Sequence, residues 1–299
     1  MSSPSSSDIA AFGAATTAEE VSEGLDLTGQ RWLITGVNSG LGFETARVLA
    51  KRGAHIVGAA RTKEKAEKAF AELGIEGDAV ACELSDLPNV REAVDHVRKL
   101  GPLQGIIANA GIMALPELQQ VHGYERQFFT NHMGHFVLVT GLTDQLVDDG
   151  RVVMLSSGAH FYAKQGLELD NLSGEREYDA WRMYGRSKLA NILFALELSQ
   201  RFEGSARTAN AVHPGVIETN LGRHVPNREA MYERLKPMLK SVGAGAATQV
   251  CVALRPELAQ SSGEYFADCQ VAETIPEGKD RALASKLWAE SEAIAAKFA

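Results

Sequence analysis

The segment Tyr184-Gly-Arg-Ser-Lys188 sets a phenol and an ammonium four residues apart. On a helix that spacing puts both on one face. A free tyrosine titrates near ~10, so it is a poor base at neutral pH unless something favours its phenolate. One positive charge at ~4 Å, with an effective dielectric near ~20, contributes about 4 kcal/mol, or about three pKa units. Such a pair can move a proton near physiological pH. The same spacing arises by chance in many helices, so it gains weight only beside other motifs. The pair is expected to open a long helix running through Leu193, Leu196 and Leu198.

A second chemical signature lies upstream, in Thr35-Gly-Val-Asn-Ser-Gly-Leu-Gly42. Gly36, Gly40 and Gly42 give the backbone freedom to approach a pyrophosphate and let a helix pack on a strand. Asn38, Ser39 and Leu41 fill the turn between them, and the helix that follows offers free N–H groups and its positive dipole end. The spacing is T-G-x-x-x-G-x-G rather than G-x-G-x-x-G. Its position between a strand and a helix is what points to a dinucleotide. An NAD site usually places a carboxylate at the end of the second strand for the ribose 2′-hydroxyl. Here that strand ends Ala59-Ala60-Arg61-Thr62. Arg61 can pair with a 2′-phosphate, which favours NADP over NAD. The plainer reading is that Arg61 and Lys63 begin a solvated helix.

The elements that must position these groups alternate along the chain. Apolar strands are predicted at Arg31–Thr35, His55–Ala59, Ala79–Cys82, Gly105–Ala108, Arg151–Leu155, Thr208–Val212 and Glu264–Ala267. Amphipathic stretches at Lys63–Leu73, Asn89–Leu100 and Tyr124–Leu146 separate them, with further helices at Ala244–Leu254 and from Asp280 onward. Such alternation implies right-handed crossovers and a parallel sheet covered on both faces. The fold class is α/β, a doubly wound Rossmann-type sheet. Residues 1–28 read as an N-terminal extension, irregular to about residue 14, with a capping box at Thr17 and Glu20. Residues 29–299 read as one catalytic domain. After Pro214 the rhythm loosens, and Ile217–Lys240 is a candidate lid or an ordinary surface excursion.

Composition narrows the classes. The 299 residues are 45% apolar and 23% charged, with a formal charge of −8. That balance suits a soluble globular protein and disfavours nucleic acid or an anionic membrane as partner. Cys82, Cys251 and Cys269 show no metal-ligand spacing and read as free thiols. No run approaches the roughly 18 apolar residues of a membrane span, and no secretory signal is evident. A cytoplasmic protein acting on a small molecule is expected, with a homo-oligomer left open.

Six motifs together resemble the short-chain dehydrogenase/reductase family. They are Thr35–Gly42, Asn109-Ala-Gly111, Asn131, Ser156-Ser157, Tyr184 with Lys188, and His213-Pro-Gly215, in the family's order over about residues 29 to 270. The resemblance implies a seven-stranded sheet and alcohol–carbonyl interconversion. By it, Ser157 would bond the substrate oxygen, Tyr184 would exchange its proton, and Lys188 would lower the tyrosine pKa and hold the nicotinamide ribose. Asn131 would fix a water that relays protons to Lys188. Asn109, Ala110 and Gly111 would lie against the adenosine, and Glu83 and Leu84 would border the adenine, where the family more often has Asp. Pro214, Val216 and Thr219 would meet the carboxamide and phosphates. Thr130-Asn-His-Met-Gly-His-Phe136, Ser156-Ser-Gly-Ala-His160 and Ser262-Gly-Glu-Tyr-Phe-Ala-Asp-Cys269 are similar to the retinol-dehydrogenase and WW-domain-oxidoreductase-like branch.

Rival readings weigh less. His132 and His135 share a helix but lack a third ligand for a metal. Ser157 with His160 lacks the G-x-S-x-G elbow of a hydrolase. A non-catalytic NADP(H) sensor is the alternative function, and loss of Tyr184 or Lys188 would have favoured it. The substrate wall is expected from Ile112–Leu115, Phe161–Leu167 and Ile217–Lys240, apolar enough for hydrophobic alcohols, aldehydes or ketones.

Overall fold

Hydrophobic alternation within each strand builds two cores on one sheet. Leu33, Val57, Ile106 and Val152 face one side, while Trp32, Ile34, Ile56, Ile107 and Val153 face the other. This period of two buries both faces, as helices covering a parallel sheet require. The computed structural model describes residues 9–298.

From one edge the sheet runs Gln270–Val271, Tyr265–Ala267, Thr208–His213, Leu146–Leu155, Leu103–Ala108, Arg31–Thr35, His55–Ala60 and Gly77–Ala81. Seven of these strands are parallel, as expected. The eighth, Gln270–Val271, is antiparallel and arises because the chain turns back after Ala267. Arg31–Thr35 lies between His55–Ala60 and Leu103–Ala108, so strand order reverses there. Such a switch point opens a crevice at the carboxyl ends of the two strands. Thr35 and Ala108 end those strands, which brings the glycine turn beside Asn109-Ala110-Gly111.

Three expectations are corrected. Tyr124–Leu146 is not one amphipathic helix. It divides into a strand residue pair Tyr124–Glu125, a helical turn Arg126–Phe128, a π-helical turn Phe129–Met133, an α-helix Gly134–Thr140 and a 3₁₀ turn Thr143–Gln145. Residues 127–139 are all buried, so no polar face exists to keep a regular amphipathic period. Leu146 already belongs to the next strand, which is Leu146–Leu155 rather than Arg151–Leu155. Tyr184 does not open its helix. Asp179 caps it, its carboxylate accepting from Arg182 N at 2.7 Å, and the helix is Ala180–Arg201.

The expected irregular segment falls partly on residues 1–8, outside the described residues. Ile9–Ala11 form a 3₁₀ turn, and Gln270 Nε2 donates to the carbonyls of Ile9 (2.7 Å) and Phe12 (3.2 Å). The capping box forms as expected, with Thr17 Oγ1 accepting from Glu20 N at 3.3 Å and Thr17 N donating to Glu20 Oε2 at 2.7 Å. After the strand Thr208–His213, the excursion leaves through Val216–Ile217 and returns through Leu239–Lys240. These two pieces pair in parallel. Between them lie a 3₁₀ helix Asn220–His224, a helix Arg228–Leu235 and a 3₁₀ turn Lys236–Met238.

Candidate active site

The helix Ala180–Arg201 carries Tyr184 and Lys188 into the protein, where both are buried. Gly185 makes the approach possible. A Cβ there would stand 2.4 Å from the Ala159 carbonyl oxygen, so only glycine lets the helix close on the turn Gly158–Tyr162. Ser157 begins that turn, its Oγ accepting from Ala159 N at 3.1 Å, and it lines the cleft together with Tyr184. His213 fixes the same turn from the neighbouring strand, its Nδ1 accepting from Gly158 N at 3.0 Å. Burial holds that imidazole down to about 4, so it is a neutral acceptor.

Lys188 Nζ lies 5.6 Å from the centre of the Tyr184 ring and donates to the Leu155 carbonyl at 3.0 Å. Asn191 Nδ2 donates to that same carbonyl at 2.9 Å. Burial dominates both ionisable groups. It lowers Lys188 to about 8. It also raises the Tyr184 phenol above its ordinary range, against a smaller opposing effect of Ser157. In the protein alone burial therefore sets the direction of the phenol's shift, opposite to the lowering expected from Lys188.

Asn131 sits in the π-helical turn, behind the cleft rather than on its wall. Its Oδ1 accepts from Ile112 N at 2.8 Å, and its Nδ2 donates to Ile112 O and to Ser187 Oγ, both at 2.9 Å. Ser187 Oγ in turn donates to Tyr184 O at 2.7 Å. On its other side, Asn131 O meets His135 Nδ1 at 2.9 Å, and His135 Nε2 meets Thr35 Oγ1 at 2.9 Å. Thr35 Oγ1 already accepts from Asn109 N and Ala110 N. Its own proton must then go to His135 Nε2, which leaves the imidazole proton on Nδ1, donating to Asn131 O. Burial keeps His135 down at about 4, consistent with this neutral form. His132 is tied separately, Nε2 to Ser291 Oγ at 2.9 Å.

At the crevice, Gly36 and Gly40 adopt φ of +74° and +56°. Gly42 lies beneath the turn: a Cβ there would be 2.3 Å from the Gly36 carbonyl oxygen. Asn109 Nδ2 donates to Thr35 O at 2.8 Å, tying the two strand ends together. The Glu83 carboxylate accepts from Ser85 N (3.1 Å) and Ser85 Oγ (2.7 Å). Thr219 packs on the turn, its methyl carbon 3.4 Å from where a Gly40 Cβ would stand.

One cleft of about 1330 Å³ joins these parts. This exceeds the ~300–1,000 Å³ of single-ligand sites. Of the residues singled out in the sequence, Gly36, Asn38, Ser39, Gly40, Leu41, Arg61, Glu83, Leu84, Asn109, Ala110 and Gly111 line it. So do Ser157, Tyr184, Lys188, Pro214, Val216 and Thr219. Gly42 and Asn131 do not; they support it from below and behind. The expected substrate wall needs correction. Within Phe161–Leu167 only Tyr162 reaches the cleft, while Ala163 and Leu167 are core residues. Trp181 takes that place, one turn before Tyr184 and on the cleft wall. Sequence reasoning also missed Arg126 on the cleft wall, because nothing along the chain marks it as a neighbour of Arg223 and His224, which fall within the expected wall Ile217–Lys240.

The family model described as short chain dehydrogenase matches residues 30–230. Among curated relatives, short-chain dehydrogenase TIC 32 A, chloroplastic, of Brassica napus is 39% identical over 93% of this chain and 92% of its own length. Human retinol dehydrogenase 14 is 36% identical over 89% and 86%, and human WW domain-containing oxidoreductase 36% over 95% and 72%. A crystal structure of a Mycobacterium paratuberculosis protein covers 92% of this chain and 96% of its own, with TM-score 0.76 and 32% identity. A blue fluorescent protein from a metagenomic library, solved with NADPH, covers 81% and 97%, with TM-score 0.66 and 26% identity. The chain belongs to the short-chain dehydrogenase family of oxidoreductases and, within it, is similar to the retinol-dehydrogenase and WW-domain-oxidoreductase branch.

Proposed function

We propose that the protein interconverts an alcohol and its aldehyde or ketone on a hydrophobic small molecule, using NADP(H). The carrying observation is that Ser157, Tyr184 and Lys188 share one cleft with the glycine turn. The residues fit a dinucleotide: Gly36 and Gly40 leave the turn open, while Gly42 fills the space in which any side chain would displace the backbone. A bound nicotinamide supplies hydride donation or acceptance. The protein supplies the rest. Ser157 Oγ orients the substrate oxygen, and Tyr184 gives or takes the proton there. Lys188, mostly protonated at neutral pH, holds the ribose and favours the phenolate. Asn131 anchors the back of the site and a proton path to Lys188. Asn38, Ser39 and Leu41, with the N–H groups of the following helix, meet the pyrophosphate. Leu84, Ala110 and Gly111 flank the adenosine, and Pro214, Val216 and Thr219 close over the nicotinamide side.

Arg61 on the cleft wall supports NADP over NAD, and so does the NADPH of the metagenomic neighbour. Apolar side chains at Met113, Leu115, Trp181, Leu221 and Met231 line the cleft and support a hydrophobic substrate. Residues 29–299 act as one catalytic domain with residues 1–28 as an extension, in a cytoplasmic setting. No helix among the described residues is long and apolar enough to cross a membrane.

Two experiments test this. NADPH consumption is followed over a panel of aldehydes and ketones; binding of NADPH without any turnover would leave only the sensor. The kcat/KM values for NADPH and NADH are then compared in wild type and in a double variant, Ala60→Asp with Arg61→Gln. Preference for NADPH in wild type that shifts toward NADH is expected. Wild-type preference for NADH would overturn the reading of Arg61.

A further inference from the structure

The cleft is lopsided in charge. Its wall carries Arg61, Arg126, Lys188, Arg223 and Arg234 against one carboxylate, Glu83, in a chain whose formal charge is −8. That carboxylate is engaged by Ser85. Among the described residues, Arg61, Arg126 and Arg223 make no ion pair. Arg126 Nη1 donates to Gln119 Oε1 at 2.6 Å and Arg223 Nη1 to Asn220 O at 2.9 Å, so each guanidinium keeps free donors.

These cations come from three separate elements. Arg61 follows the strand His55–Ala60, Arg126 starts the turn Arg126–Phe128, and Arg223 with His224 ends the 3₁₀ helix Asn220–His224. That 3₁₀ helix follows Thr219, which rests on Gly40 of the phosphate turn. Its far end, Arg223 with His224, shares the cleft wall with Arg61. Partial burial and then the charge of Arg61 hold Arg223 below its ordinary range. Burial, followed by Arg223, Arg126 and Arg61, does the same to His224. Like charges gathered without a counter-ion repel one another, and a dianion between them turns that repulsion into attraction.

We propose that Arg223, with His224, is a second binding group for the 2′-phosphate that Arg61 meets, so that the cofactor's phosphate latches the segment Ile217–Lys240 shut. The inference rests on the NADP(H) reading above and adds a group that the second-strand position does not reveal. The geometry suits a latch. The excursion is pinned at its base by the pairs Val216↔Leu239 and Ile217↔Lys240, and everything between hangs from that ladder. With a dinucleotide that has only a 2′-hydroxyl, the repulsion between Arg61 and Arg223 on the cleft wall stays uncompensated.

The test uses the whole chain, with adenosine 2′,5′-bisphosphate and 5′-ADP as probes beside NADPH and NADH. A charge-assisted hydrogen bond contributes enough for roughly a 10- to 150-fold change in affinity. Calorimetry on Arg223→Gln is expected to show at least a ~10-fold weaker NADPH and 2′,5′-bisphosphate, with NADH and 5′-ADP little changed. Hydrogen exchange across 217–240 is expected to slow with the 2′,5′-bisphosphate in wild type, and not with 5′-ADP. Arg223 is exposed, so its replacement leaves the fold intact. Equal loss for NADPH and NADH in Arg223→Gln, or equal lid protection by both probes, overturns the latch. If wild type prefers NADPH and Arg61→Gln abolishes that preference while Arg223→Gln does nothing, only the latch fails. If wild type binds NADH more tightly, the NADP(H) reading falls with it.

Discussion

Lys188 is held at a thermodynamic disadvantage that its function requires, and its replacement by methionine exposes the size of that disadvantage. Burial lowers its ammonium from 10.5 to about 8. That drop corresponds to about 3 kcal/mol against the charged form at neutral pH. A methionine side chain in its place would keep the volume and lose only the bond to Leu155 O, about 1 kcal/mol, because Asn191 Nδ2 still satisfies that carbonyl. Lys188→Met should therefore be about 2 kcal/mol more stable than wild type at pH 7 while losing turnover. The sign with pH follows from proton counts. Between about 8 and 10.5 the unfolded lysine binds more protons than the folded one, so wild-type stability rises with pH in that window. The variant's advantage is full below about 8 and should shrink to under ~0.5 kcal/mol by pH ~9.5. Urea unfolding of both proteins at the two pH values, without cofactor, measures it. A variant that is less stable at pH 7, or an advantage that does not change with pH, would refute the reasoning.

Tyr184→Phe should keep NADPH affinity and lose roughly 10²- to 10⁴-fold in turnover, read by steady-state kinetics with calorimetry as control. Because burial raises the phenol, the proton-donating form persists at neutral pH. Carbonyl reduction should be flat to at least pH ~8 while alcohol oxidation climbs with pH; parallel profiles would argue against Tyr184 as the titrating group. Gly42→Ala must push the helix away from the Gly36 carbonyl, which a Cβ would meet at 2.3 Å. It should cost about 1–3 kcal/mol of stability and weaken NADPH, and a wild-type dissociation constant would contradict this. His135→Phe leaves the Thr35 hydroxyl and Asn131 carbonyl without their buried partner. A loss of about 2–4 kcal/mol in denaturant unfolding is expected, and in wild type ¹⁵N shifts should show Nε2 unprotonated from pH ~5 to ~9.

What the chain announces, and what it conceals, follows from the range of the interaction involved. Gly36, Gly40 and Gly42 are legible because the backbone constraint and the residue that meets it occupy the same few positions, and Tyr184 and Lys188 because one helical turn joins them. The parallel strands were legible too, since both faces are buried and the apolar runs are nearly continuous. The segment Tyr124–Leu146 failed for the converse reason. Residues 127–139 are buried on every side, so periodicity carries no information there, and the π-turn that aims Asn131 leaves no local trace. Spacing likewise says nothing of desolvation, which the packed helix supplies and which raises the Tyr184 phenol in the protein alone. Arg126 and Arg223 are the extreme case. Along the chain each has acids close by, Glu125 beside one and Glu218 and Glu229 near the other. In the fold, Glu125 turns inward, its carboxylate accepting from Phe128 N at 2.8 Å, while the guanidiniums face the cleft. Charge counted along the sequence averages to acidic, yet the surface that meets a ligand is basic. The sign of that surface is decided by which way each side chain leaves its element, and this is where an acidic chain acquires a cleft suited to phosphate.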